Sequence, residues 1–569
     1  MTEVQNTQER DDRSRDASSA DADAVPDSAE VPQSPVPQPP AQPAFTPKPA
    51  WLSAAYMCAA TMLSLSQGLG LNLVNANITQ IQGEIGATSN EALWMVAAYM
   101  APNVSLSLAL IKIRTQYGLR NFAEISIFCF VVACLLNLFI HDLSSAIVVR
   151  FMSGIAASPM SSLGFLYMLE CFPPQRKMTI GLPLALTNIS LGAPLARIVS
   201  PTLFDMDGWH GLTIHELALA MIGFCLVYLL PLTPPPRAKV IEPLDVLSFL
   251  LIAVGFGCVA VALVLGKAYW WLEVPWLGIL LAVAIVLITA AVVIELNRTN
   301  PLVDVRWLVS PAILHFAAAL LVFRIVLSEQ TTGASGLFQV LGLTNDQTIT
   351  LYSIILLASI AGGLTCAVVM KPGREPLIHL AALALIAIGA AMDSQSTSLT
   401  RPEQMYLSQA MMGYAAGLFL PPAMFRGITS ALQKGPNYVL SFVIVFLTTQ
   451  SIGGLLGSAV FGTFITIREK FHSNILVQHF ALTDPIVAQR AAQLSMTYAR
   501  TITDQAILRA EGLVLLGQQA TREANVLAYN DAFLLISIIS ATAFVLLLLH
   551  MGYDAARRRM TNLQATENA

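Results

Sequence analysis

Apolar residues in this chain arrive in separate runs of about 18 to 28, each long enough to cross a hydrocarbon core of roughly 30 Å as a helix. No other feature restricts the fold as much. Every backbone N–H and C=O in lipid must be satisfied internally, and these lengths fit helices rather than the roughly ten-residue strands of a membrane barrel. Fourteen runs can be drawn: 52 to 75, 92 to 111, 122 to 140, 143 to 170, 178 to 200, 213 to 232, 244 to 266, 274 to 296, 311 to 330, 347 to 370, 376 to 392, 403 to 425, 437 to 467 and 530 to 552. With 55% hydrophobic and 12% charged residues, the chain reads as an all-α polytopic membrane protein in contact with a lipid bilayer.

Lysine and arginine in short loops mark the cytoplasmic side. With the N-terminus inside, sixteen of the 31 fall in cytoplasmic loops or the C-terminal tail, among them Lys112, Arg114, Arg176, Arg237, Arg298 and Lys371, and only Lys267 and Arg401 in short external loops. Both termini are therefore expected in the cytoplasm of a cell membrane, the inner membrane if the host is Gram-negative. Three arginines fall inside spans instead: Arg150, Arg197 and Arg324.

Residues 1–50 hold nine acidic residues, four basic ones and nine prolines, and read as a disordered cytoplasmic tail. The seven cysteines lie in or at the ends of spans and the eight histidines lack ligand spacing, so neither a disulfide framework nor a metal or cofactor site is supported. Nothing suggests nucleic-acid binding, nor does a nucleophile with its base stand out, so an enzyme is not expected. The polar stretch 467–530 has helical apolar spacing and is expected to extend its flanking spans, with Pro485 at the turn between two helices; it could dock a periplasmic adaptor protein.

Several motifs now resemble, in order, those of the fourteen-helix drug:proton antiporters of the major facilitator superfamily, the EmrB/QacA type. Trp94 and Tyr99 match its W-x-x-x-x-Y pattern, "RFMSGIAAS" from Arg150 resembles its R-x-x-x-G signature, and "EPLDVLS" and "NPLVDVRW" are similar to the segments flanking two extra helices. "GLFQVLGL" from Gly336, "GGLLGSAVFGT" from Gly453 and "AYNDAFLL" from Ala528 fit as well. The resemblance implies two six-helix halves, 51–232 and 301–553, two inserted helices within 233–300, and a C-terminal cytoplasmic tail, 554–569. It also implies a secondary active exporter whose partners are a small-molecule substrate and protons. Three departures touch positions tied to coupling: Gly70 stands where the family's first span carries an aspartate, Ile111 and Thr115 replace a loop glycine and aspartate, and Arg197 in "APLARI", beside Pro194, replaces a glycine.

At 1.5 Å per residue Arg150 lies roughly 12 Å below the external end of its span, Arg324 roughly 20 Å up from Pro311, and Arg197 near the external end. A charge near the bilayer centre costs at least about 2.5 to 3.5 kcal/mol, so such residues face a polar cavity or a partner. Arg197 could instead snorkel toward Asp205 and Asp207. Gln67, Asn72 and Asn75 are expected to line a substrate cavity, with Tyr99 as an aromatic wall or a core residue. Glu216, Glu329 and Asp531 are the carboxylates placed to replace the missing aspartate in proton coupling, while Glu124, Glu170 and Glu295 read as solvated groups near the cytoplasmic face. Gly154, Ala157 and Ser158, and likewise Gly453, Gly454 and Gly457, form small-residue stripes for close helix packing and for sliding during alternating access. The three arginines and the absent aspartate point to anionic or weakly acidic amphiphiles. An uptake carrier and a non-transporting scaffold are the alternatives.

Overall fold

A computed structural model describes residues 48–233, 239–298, 301–481 and 483–567. The tail up to residue 47, Arg237 and Asn300 lie outside the described residues. Among the described residues all regular elements are helical. The long ones are α1 (Ala50–Ala76), α2 (Ser89–Tyr117), α3 (Leu119–Asn137), α4 (Leu143–Glu170), α5 (174–207), α6 (209–229), α7 (Pro243–Leu265), α8 (Pro275–Leu296), α9 (311–340), α10 (Ile349–Val369), α11 (Glu375–Asp393), α12 (Tyr406–Lys434), α13 (Pro436–Gln478) and α14 (Gln505–Glu567). Among the described residues eleven helices are long and apolar enough to cross a membrane, the stretch Pro174–Leu229 counting as one although it holds both α5 and α6. α2 and α12 have the length but are less apolar, carrying side chains such as Asn103, Lys112 and Gln409. Each apolar run drawn from the sequence falls on one of these helices.

Local chemistry sets the boundaries. Pro243, Pro275, Pro311 and Pro436 each open a helix, where a missing N–H costs nothing. Thr88 and Glu91 close a capping box at the start of α2. Between α2 and α3 the chain reverses at Gly118, φ 89°, and between α12 and α13 at Gly435, φ 131°; both are left-handed conformations that a Cβ would strain. The break between α5 and α6 falls at Asp207 and Gly208, where Glu84, closing the short helix Ile78–Glu84, accepts a hydrogen bond from Trp209 N at 3.0 Å. A carboxylate at the start of α6 also meets the positive end of its dipole.

The largest apolar clusters separate along the chain. One draws on residues 56–260, including Tyr99, Phe130, Ala157 and Tyr167; the other on residues 323–536, including Phe338, Tyr352, Met412 and Phe533. A third joins Leu182 and Leu186 of α5 to Met424, Ile428, Phe442 and Phe446 of α12 and α13. α10 packs along α5 so closely that a Cβ on Gly363 would collide with the Thr187 side chain.

Three boundaries and the burial of one carboxylate depart from expectation. α9 runs to Val340 through a π-turn, Glu329–Ala334, instead of stopping near 330. Pro485 does not mark a turn between two helices: it is the first residue of a third, Pro485–Ser495, because Asp484 caps Ile486 N at 2.8 Å. α14 starts at Gln505 and continues to Glu567, so most of the 554–569 tail is helix. Glu295 is buried rather than solvated, accepting from Leu302 N, Val303 N and Arg298. It belongs to a cluster in which Asp245 pairs with Lys112 and Arg298, each at 2.7 Å, and this cluster ties the starts of α7 and of the segment after α8 to the end of α2.

Candidate functional site

Arg150, on α4, is fully buried. Its Nη2 donates to Gly70 O on α1 at 2.9 Å and its guanidinium lies over the Tyr99 ring of α2, 4.5 Å from the centroid. Nε and Nη1 have no hydrogen-bond partner among the described residues. The carboxyl of Glu216, on α6 and only 5% exposed, interacts electrostatically with this guanidinium and reaches the Cys134 thiol. Its placement is fixed by Gly70: a Cβ there would sit 2.4 Å from Glu216 Oε1. The glycine that replaces the family's aspartate thus opens the space into which a carboxylate from another helix projects. Gly154 permits the same assembly from the other side, since a Cβ there would meet Tyr99 O at 2.1 Å.

Arg324 lies on α9 against the small residues of α13. A Cβ on Gly454 would stand 2.6 Å from its Nη2, and one on Gly453 would touch its Cβ and Cγ. Gly457 continues the groove beneath the Arg324 carbonyl and Ser328. The stripe read as helix packing is therefore also the bed of the arginine. Nε of Arg324 is buried without a partner, and the guanidinium forms no ion pair among the described residues. Glu329 does not serve it, as five residues along a helix turn the two apart.

Arg197 does not reach toward Asp205 and Asp207. Its Nη1 donates to Asn345 Oδ1, in the turn before α10, at 3.2 Å and its guanidinium sits over the ring of Tyr352 on α10 at 5.3 Å. Asn345 Nδ2 in turn donates to Ala76 O at 2.9 Å, closing the Asn77 end of the molecule. Pro194 is buried in α5 nearby.

The amides of α1 divide. Gln67 is half-buried, Asn72 turns back on its own helix to Gly68 O at 2.7 Å, and Asn75 is exposed. Asp531 sits in a partly exposed cluster with Arg468 at 2.6 Å and His472 at 2.7 Å. Ala157 and Ser158 are buried on α4, with the Ser158 hydroxyl unpartnered.

Sequence reading missed Asp393 and Gln409, which surround Glu329. All three are at most 2% exposed. Gln409 Nε2 donates to Glu329 Oε1 at 2.9 Å and to Asp393 Oδ2 at 2.7 Å, while Ser408 donates to Asp393 Oδ1. The available signal was positional: Asp393 closes one apolar run and Gln409 lies near the start of the next, so both belong to the same end of the bundle as Glu329.

The profile of the Major Facilitator Superfamily matches residues 52–458. The multidrug export protein EmrB of Haemophilus influenzae is 26% identical over 254 residues, 43% of this chain and 48% of that protein. The fatty acid resistance protein FarB of Neisseria gonorrhoeae is 26% identical over 268 residues, 45% of this chain and 49% of its own. These matches span about half the length of those relatives; the uncharacterised transporter YhcA of Bacillus subtilis is matched more fully, at 21% identity over 84% of this chain and 89% of that one. The human organic anion transporter MFSD10 superposes with a TM-score of 0.51 at 12% identity, covering 87% of this chain and all of that one, and the proton:xylose symporter XylE with a TM-score of 0.50 at 14% identity, covering 86% and 95%, which supports the fold. With seven of its motifs in register and the profile covering most of its length, the chain belongs to the Major Facilitator Superfamily and is a membrane transporter rather than an enzyme.

Proposed function

We propose that this transporter exports anionic or weakly acidic amphiphiles in exchange for protons by alternating access, across fourteen spans with both termini in the cytoplasm. The observation that carries the substrate class is Arg324: a guanidinium bedded on a glycine groove, with no acidic side chain paired to it among the described residues. Leaving a charge uncompensated at this depth costs several kcal/mol, which a bound carboxylate or sulfonate would offset. The name of the relative FarB supports a fatty-acid-like substrate.

Glu216 is the coupling carboxylate in this reading. Facing Arg150 and Gly70, it is drawn to the guanidinium when ionised and released when protonated, so its protonation state sets how much of the Arg150 charge is neutralised. Arg197, Asn345 and Ala76 form the external latch between the halves 51–232 and 301–553. The inserted helices α7 and α8 ride on α2 through the Lys112–Asp245–Arg298 cluster. The segment around Pro485–Ser495 exposes Ile486, Met496 and Ile507, a surface suited to an adaptor protein. In efflux-deficient cells, Arg324→Ala should lower protection against an acidic amphiphile while membrane insertion is unchanged. Equal protection would refute the assignment.

A further inference from the structure

Glu329 and Asp393 are two carboxyls, both nearly inaccessible, held by the two N–H groups of a single amide. No lysine, arginine or histidine forms an ion pair with either among the described residues. The other groups facing them are polar or apolar. α10 presents Tyr352, a titratable group that senses Glu329, with Arg197 beyond its ring. α12 adds the hydroxyl of Ser408, and α13 and α14 bring Phe461 and Phe533 against Gly333 in the same π-turn. Two acceptors in the cluster are left without a donor: Glu329 Oε2 and Gln409 Oε1.

Two buried carboxylates without a cation cannot both stay ionised at acceptable cost, and the Gln409 NH2 group bridges one oxygen of each. One proton on the pair removes half the charge and adds one donor to a cluster that lacks two. We propose that Glu329 and Asp393 share a single exchangeable proton, bridged by Gln409, making a second protonation site distinct from Arg150 and Glu216. Loading it converts a dianionic pair to a monoanionic one by forming one O–H bond; release is the reverse, with no other reactant. The pair titrates as a unit, so the proton belongs to neither residue alone. Its place at the Asp393 end of α11, the same end as Asn345 and Ala76, puts it under the latch, where a proton held during closure could be exchanged on opening. Glu329 opens the π-turn itself, so protonation acts at the point where α9 is least regular.

This inference goes beyond the export reading and does not depend on it, since it can be read without substrate. Infrared difference spectra of the purified full chain in detergent, in H2O and D2O, report protonated carboxyl groups directly. In a Glu216→Gln background, a protonated-carboxyl band should be present at neutral pH and bleach on alkalinisation. It should disappear in the added E329Q/D393N double variant, with the amide band of the same spectrum confirming intact helix. Each single variant should move the bleaching to lower pH, because the like charge is gone or the proton has one fewer acceptor. A band that survives the double variant, is absent from the parent, or bleaches on adding sodium at constant pH would overturn the proposal. Loss of export in cells, by contrast, would leave it standing.

Discussion

Gly70 and Glu216 offer a charge-relocation test. A side chain at Gly70 would bring Cβ to 2.4 Å from Glu216 Oε1 where ordinary contact begins near 3.4 Å, so the carboxylate must retreat by about 1 Å. Retreat shifts it relative to the Arg150 guanidinium whose field it feels, and overpacking a filled site costs about 1–3 kcal/mol. At 1.36 kcal/mol per decade, about 3 kcal/mol corresponds to roughly a 100-fold effect. Gly70→Asp alone therefore crowds two carboxylates into one space and should lower proton-driven transport in proteoliposomes by about 100-fold, and Glu216→Ala should do the same by leaving Arg150 without an anion. Combining them restores one carboxylate on α1 beside Arg150, and the double variant should recover to within about tenfold of the parent. Wild-type transport by Gly70→Asp, or a double variant no better than Glu216→Ala, would refute the placement of the coupling carboxylate.

Other perturbations follow from the same geometry. Gly457→Ala would put a methyl 2.8 Å from the Arg324 carbonyl and against Ser328, costing about 1–3 kcal/mol as a lowered thermal midpoint in detergent. Asn345→Ala removes the bonds to Arg197 and Ala76, each worth about 1 kcal/mol, and spin labels at Thr79 and Thr344 should show a larger population at long distance. Asp245→Asn leaves Lys112 and Arg298 without their shared buried anion and should destabilise the fold by about 3–5 kcal/mol, whereas an unchanged midpoint would mean the cluster is idle.

Much of the architecture was legible because a bilayer makes hydrophobic length and loop charge decisive; each apolar run lies on a helix, and the three arginines are where the counting left them. What escaped was tertiary. That Gly70 marks the space into which Glu216 projects requires knowing that α1 and α6 touch, which no spacing in one chain encodes. Asp393 and Gln409 were hidden by lying at helix ends, where a solvated charge is the cheaper reading until packing closes over them. Arg197 reached Asn345 rather than Asp205 and Asp207 because α5 leans on α10. Glu295 was misread for a related reason: the segment after α8 folds back and offers two backbone N–H groups that water would otherwise have to satisfy.

The central claim is export of acids against protons through Arg324. The most direct measurement uses proteoliposomes with an imposed pH gradient and two amphiphiles matched in lipophilicity but opposite in charge, followed for wild type and Arg324→Ala. The account predicts gradient-driven accumulation of the acid by wild type, at least tenfold weaker in the variant, and little for the cation in either. Accumulation of the cation, or an acid flux indifferent to Arg324, would contradict it.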